Sequence, residues 1–275
     1  MFFIFGSPCS GTTLLAQCLN AHPDVVIPHE TDFIIPAAFV FDQVPDLNVR
    51  REILKPLITQ SAAFSLSLGE YLAVTEICEI IDAGATTMAE VLNDIYTAVA
   101  RKAGVRLAGD KSPNDLNFLR ILTKVDGIPK NAKIIHIVRD VRDVVSSLME
   151  RGWVPQIESY FPRFWNGSNL YLHHLFRTKN NYLLVKFEEF VADPGKILGG
   201  VCRHLEVDYI SQILEPDRRH PRYQDSPHHK RLYQPISMAP VGEFRSKMRS
   251  DLIALCEIQS AEAMSTFGYS TERLD

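Results

Sequence analysis

The sequence predicts an α/β fold, a P-loop type parallel β-sheet of about five strands flanked by helices, with a helical insertion. Three observations predict it. Short β-type runs alternate with longer helical patterns, the arrangement that parallel strands joined by crossover helices require. One run, Ile134-Ile135-His136-Ile137-Val138, is apolar almost throughout, as befits a central strand covered on both faces. A glycine-containing loop follows the first run directly and opens a helix.

Taken in order, the first run is Phe2 to Phe5, and the helical pattern after its loop covers Thr13 to Asn20. A second run, Val25 to Ile27, follows Pro23-Asp24. The apolar stretch Phe33 to Phe41 is broken by Pro36 and falls far short of the roughly 20 residues that cross a bilayer, so no membrane span is expected. Residues 46 to 104 carry helical periodicity without a strand candidate. Thr87 and Glu90 have the spacing of a capping box, and Gly104, after Arg101-Lys102, reads as a helix stop. This insertion either covers a sheet edge or shapes an acceptor site. Further strands are expected at Arg106 to Ala108, Lys133 to Val138 and Tyr182 to Phe187, and helices at Asp115 to Lys124, Val141 to Arg151, Pro194 to Leu205 and Asp251 to Phe267. Residues 216 to 240 read as a loop. It carries Pro216, Pro221 and Pro227 and a basic cluster, Arg218, Arg219, Arg222, Lys230 and Arg231, opposed by Asp217 and Asp225. Such a loop is either solvated surface or a lid over an anion. The expected organisation is one domain over residues 1 to 275.

Composition narrows the function. The 275 residues hold 29 Lys and Arg against 33 Asp and Glu, a net charge of -4, which argues against nucleic-acid or membrane-surface partners and leaves anion binding to local charge. The five cysteines, Cys9, Cys18, Cys78, Cys202 and Cys256, form no C-x-x-C pair, so neither a disulfide framework nor a zinc site is indicated. Reduced thiols, and Met1 followed directly by Phe2-Phe3-Ile4-Phe5 without a basic leader, predict a cytoplasmic protein that starts at residue 1; it is compatible with a homodimer.

The loop Gly6-Ser7-Pro8-Cys9-Ser10-Gly11-Thr12-Thr13 has the strand, turn and helix start that cradle a phosphate with backbone N–H groups and a helix dipole. It fits G-x-x-x-x-G but places Thr12 where the Walker lysine stands, which disfavours an ordinary ATPase. Together with Leu14-Leu15, Ala21-His22-Pro23-Asp24 and Glu30-Thr31, it resembles the start of a sulfotransferase that uses 3′-phosphoadenosine-5′-phosphosulfate (PAPS), in the branch containing tyrosylprotein and many bacterial sulfotransferases. A second stretch, Val138-Arg139-Asp140 to Ser146-Ser147, resembles that family's R-D-x-x-x-x-x-x-S element. Ser147 lies two helical turns beyond Arg139, so both can reach one group at the carboxyl edge of the sheet, and Arg151 shares that helical face. A third, Gly109-Asp110-Lys111-Ser112-Pro113, is similar to the family's D/N-K-x-P strand end. Partial matches follow at Val185 to Phe190 with Asp193-Pro194, at Val241 to Arg245 and at Phe267-Gly268-Tyr269.

The resemblance implies that Ser7, Pro8, Cys9, Ser10, Gly11, Thr12 and Thr13 hold the 5′-phosphosulfate of PAPS, and that Arg139, Ser147 and Arg151 hold its 3′-phosphate, with Arg231 added from the basic loop. It further implies Glu30 as general base on an acceptor hydroxyl and Lys111 beside the leaving phosphate oxygen. His29 is the alternative base, because a neutral imidazole titrates nearer pH 7. No metal is expected. His22 is read as ending the first helix and His136 as a packed core residue. Three positions depart from the family pattern: Cys9 replaces Arg or Lys, Phe187 a common tyrosine, and Glu243 an arginine. The acceptor is expected to be a small-molecule, lipid or carbohydrate hydroxyl. A peptide tyrosine, a catalytically weakened nucleotide-binding protein and an NTP-dependent kinase using Thr13 and Asp110 are the alternatives. At a helix N-terminus the Cys9 thiol is expected to be acidified and to be the most reactive of the five.

Overall fold

Phe2, Phe3, Ile4 and Phe5 form β1 (Phe2–Phe5), and every one of them is buried, so the strand can only be an interior one. In this computed structural model, which describes residues 1–83, 86–152, 157–226 and 228–271 (157–159 by backbone alone), β1 is the middle of a parallel sheet. The order is β2 (Val25–Val26), β3 (Leu107–Asp110), β1, β4 (Lys133–Val138), β5 (Tyr182–Lys186). Register pairs Phe2 with Gly109 on one side and Phe2 to Phe5 with Lys133 to His136 on the other. Gly109 is needed there, because a Cβ would lie 2.3 Å from the ring of Phe2.

Alternation along β1 divides the core. Phe3 and Phe5 turn to the face covered by α2 (Ile34–Gln43), α3 (Leu47–Thr59), α4 (Val74–Asp82), α5 (Met88–Ala103) and α6 (Leu119–Lys124). Phe2 and Ile4 turn to the opposite face, packing with α1 (Thr12–Asn20), α9 (Phe187–Ala192) and α10 (Pro194–Leu205). A third cluster around Val138, Trp165 and Phe267 joins α7 (Val141–Arg151) to α8 (Ile157–Phe176), α11 (Phe244–Lys247), α12 (Ser250–Gln259) and α13 (Ala261–Phe267).

The expected strands and most helices are present, with differences at their bounds, and the strand expected at Arg106 to Ala108 runs from Leu107 to Asp110. The strand expected over Val25 to Ile27 stops at Val26, because the Asn20 side chain occupies both the N–H of Ile27 (2.6 Å) and its carbonyl (2.9 Å). The helix expected from Asp115 begins as a 3-10 turn, Pro113–Phe118, before α6. The last expected strand ends at Lys186, and Phe187 starts α9. The closing helix breaks at Ser260, whose hydroxyl donates to the carbonyl of Pro162 at 2.9 Å. The Thr87 capping box is reciprocal: Thr87 Oγ1 accepts from Glu90 N, and Glu90 accepts from Thr87 N. Gly104 ends α5 at φ 69°. Gly84 and Ala85, within the expected insertion, and Pro227, in the basic loop, lie outside the described residues. No described helix is long and apolar enough to cross a membrane.

Candidate active site

A cavity of about 660 Å³ opens at the carboxyl edge of the sheet, where the loops after β1, β2 and β4 converge. The loop after β1 is built by close approach. At Gly6 a Cβ would meet the Ile137 carbonyl and Ser10 Oγ at 2.7 Å each, and at Gly11, φ 95°, it would enter the Phe187 ring at 2.4 Å. Cys9 is also left-handed, at φ 64°. The carbonyl of Ser7 accepts from Ser10 N (3.1 Å) and Ser10 Oγ (2.6 Å), which closes the turn. Pro8, Cys9, Gly11, Thr12 and Thr13 line the cavity, whereas Ser7 and Ser10 are buried behind it. The first N–H groups of α1 therefore sit at the cavity wall with the positive end of the helix dipole.

The opposite wall comes from the end of β4 and from α7. Arg139 donates to the carbonyls of Cys9 (2.9 Å) and Pro240 (2.6 Å), lies over the Phe187 ring at 4.7 Å, and keeps a buried Nε without a partner. Phe187, where the family commonly has tyrosine, thus packs both Gly11 and Arg139. Ser147 and Arg151 line the same wall at the expected helical spacing. Asp140 forms no surface pair with Arg139. It caps α7 through Arg142 N (2.9 Å) and holds the Arg142 guanidinium, which also reaches Glu257 at 2.6 Å. Asp143 accepts from Gly242 N (2.7 Å) and Phe244 N (3.0 Å), which draws Glu243 to the rim. There Glu243 pairs with Arg231 (2.7 Å) and Lys247 (3.0 Å).

Between these walls, Glu30 and His29 border the cavity and Lys111 lies beneath it, 2% exposed. Lys111 Nζ donates to Glu30 Oε1 and stands 3.5 Å from Thr13 Oγ1. Burial pushes His29 below its ordinary value, with the Glu30 carboxylate offsetting part of this, so the imidazole is neutral near pH 7. Two residues not singled out from the sequence complete this side. The ring of Tyr223 stands 5.5 Å from that of His29 and 4.8 Å from that of His229, with Lys111 Nζ 5.9 Å from its centre. Burial pushes the Tyr223 phenol up and takes His229 down to about 4. Both lie in the basic loop, whose signal in the sequence is its run of cations and not its aromatic groups.

The basic loop, expected as either solvated surface or a lid over an anion, divides its cations. Only Lys230 and Arg231 of its cations line the cavity. Arg219 is buried and donates to the carbonyls of Leu214, Leu232 and Gln234, Arg218 pairs with Glu215, and Arg222 pairs with Glu70 near α4. The Cys9 thiol is also not acidified. Burial raises it, outweighing Arg151, a Ser147 hydrogen bond and Arg139. Asp110, the magnesium ligand of a kinase reading, is buried and accepts from the Tyr96 and Thr31 hydroxyls. His22 and His136 are structural: the first binds the Asp208 carbonyl and Asp24 N, the second sits in the core, taken down to about 4 by burial. Asp193 caps α10, and Tyr269 donates to Glu188, which accounts for two of the partial matches by packing alone.

The family model described as Sulfotransferase family matches residues 2–211. Protein-tyrosine sulfotransferase of Drosophila melanogaster is 28% identical over 225 residues, covering 78% of this chain and 39% of that protein. Protein-tyrosine sulfotransferase 1 of Danio rerio is 29% identical over 223 residues, covering 78% of this chain and 55% of its own. The chain thus spans about half or less of these relatives' length. Among solved structures, the sulfotransferase domain from the Synechococcus PCC 7002 olefin synthase superposes with a TM-score of 0.69 at 26% identity, over 99% of this chain and 95% of that one. The sulfotransferase domain from the curacin biosynthetic pathway superposes with a TM-score of 0.63 at 18% identity and shares the fold.

Proposed function

Because the chain belongs to the sulfotransferase family, we propose that it transfers a sulfuryl group from PAPS to a hydroxyl of a small-molecule, lipid or carbohydrate acceptor. The observation that carries this reading is the meeting of three groups in one cavity: the amide-lined loop, the Arg139, Ser147 and Arg151 wall, and the Glu30–Lys111 pair. These residues suit a ligand with two phosphate groups. The unpartnered Arg139 Nε and the α1 amides supply positive character, and the volume suffices for a nucleotide. PAPS brings the activated sulfuryl group and a phosphate leaving group; the protein contributes alignment and charge.

Glu30 takes the acceptor hydroxyl proton on its carboxylate as the oxygen attacks sulfur. Lys111 neutralises the negative charge that grows on the bridging oxygen, with Thr12, Thr13 and the loop amides holding the adjoining phosphate. Glu30 and Lys111 satisfy each other in the structure, so Lys111 must turn from the carboxylate to the leaving oxygen, which frees the Glu30 oxygen to receive the acceptor proton. His29 is neutral and stands beside it as the other base. The names of the Drosophila and Danio relatives favour a second reading, with a peptide tyrosine as acceptor.

Adenosine 3′,5′-bisphosphate, the desulfated product, should bind and raise thermal stability, and Arg139→Ala should abolish most of that rise. If ADP stabilises the protein equally, the 3′-phosphate assignment to Arg139, Ser147 and Arg151 is wrong. Turnover with phenols and tyrosyl peptides but not with aliphatic alcohols would select the second reading.

A further inference from the structure

A fully buried asparagine, Asn169 on α8, touches the phosphate loop from the side away from the cavity. Its Nδ2 lies 2.6 Å from the Trp165 carbonyl, a contact only the amide nitrogen can make, and 3.3 Å from Ser7 Oγ. Its Oδ1 must therefore accept, and it does so from His136 Nε2 at 2.9 Å, which places the proton of the imidazole on that nitrogen. His136 Nδ1 is left to accept from the Tyr182 hydroxyl at 2.8 Å, and the Tyr182 oxygen to accept from His173 Nδ1 at 3.1 Å. Donation thus runs one way along the α8 face of the sheet, from half-buried His173 through Tyr182, His136 and Asn169 to Ser7.

A buried histidine and asparagine are a costly way to fill a core, since an apolar pair of the same shape packs there without desolvating polar groups. The loop they touch is one that needs support: Cys9 and Gly11 are both left-handed, and conformations of that kind persist only where the surroundings over-determine them. We infer that Asn169, oriented by His136, is a positioning residue that holds Ser7, and through the Ser7 carbonyl the Ser10 turn, in the shape that receives a phosphate. The phosphate in question rests on the function proposed above; the bracing of the loop does not.

The test compares wild type with Ser7→Ala, Asn169→Leu and the apolar pair His136→Leu/Asn169→Leu by amide hydrogen exchange over residues 6–13, affinity for adenosine 3′,5′-bisphosphate, and thermal unfolding. Loop exchange should rise, and affinity fall, by about tenfold in Asn169→Leu and in the apolar pair, while the pair unfolds near the wild-type temperature. Adding Ser7→Ala to Asn169→Leu should change neither readout further, because both remove the same contact. Unchanged loop exchange in Asn169→Leu, or effects of the two that simply add, would overturn the assignment. Should the apolar pair not fold, Ser7→Ala alone decides, since it deletes a single oxygen. If wild type binds no bisphosphate while loop exchange still responds, the donor assignment falls and the positioning role stands.

Discussion

Glu30 and Lys111 share one hydrogen bond, so removing either partner changes the other. Glu30→Gln keeps the size but cannot take a proton, and a lost general base costs about 10²- to 10⁴-fold in rate. Binding of the bisphosphate should survive or strengthen, because the variant also releases Lys111 from its carboxylate partner. If Glu30→Gln turns over at the wild-type rate in single-turnover kinetics while His29→Ala does not, the base is His29. Lys111→Ala should slow the same step and weaken donor binding moderately. A different residue makes stability depend on pH. His136 takes a proton at pH about 4 when folded but at its ordinary 6.5 when unfolded, so the unfolded chain binds more protons between those values. Its contribution is present in full above pH 6.5 and is lost as pH falls toward 4, by about 3 kcal/mol. Urea unfolding from pH 7 to 4.5 should show a shallower loss in His136→Leu/Asn169→Leu; equal slopes in the two proteins would mean that His136 does not charge on unfolding.

Elements built on local chemistry were legible, and elements built on tertiary contact were not. The α5 cap at Thr87, its Gly104 stop and the Asp193-Pro194 start of α10 could each be read from residues a few positions apart. Helix α8 could not, because Pro162 lies inside it and its polar Asn169 and His173 face inward to partners on distant strands. The basic loop misled for the same reason: charge is visible in a sequence, but the carbonyls that take up Arg219 come from residues brought together by the fold. Arg219→Ala should therefore strand those carbonyls and cost about 2–4 kcal/mol, whereas Arg218→Ala, whose ion pair is exposed, should stay within about 0.5 kcal/mol, both read from denaturant unfolding. Comparable losses in the two variants would show that Arg219 is not a structural tie. At the phosphate loop, Gly11→Ala combines a left-handed backbone with a collision against Phe187, and bisphosphate binding should be lost even where the fold survives.

Across the whole molecule, the proposed site residues run from Pro8 to Arg231, yet they meet at one edge because β1 has β3 and β4 as neighbours. Alternation and loop position made that edge predictable, while the wall lined by Tyr223 and His229 depended on where a long loop settles. A ligand that bridges both walls should stabilise the molecule as a unit. At a hundredfold excess over its dissociation constant, adenosine 3′,5′-bisphosphate should add about 2.7 kcal/mol, and a calorimetric scan showing only part of the transition shifted would contradict a single cooperative unit. The strand order also bears on synthesis. Phe2-Phe3-Ile4-Phe5 leaves the ribosome before either neighbour exists, and its second neighbour is complete only at Val138. Until Asp110 is made, four consecutive large apolar residues have two unpaired edges, and from there to Val138 they still have one, a template for association with other nascent chains. The central position that makes β1 the best-protected strand of the finished protein makes it the most vulnerable one while the chain is being made.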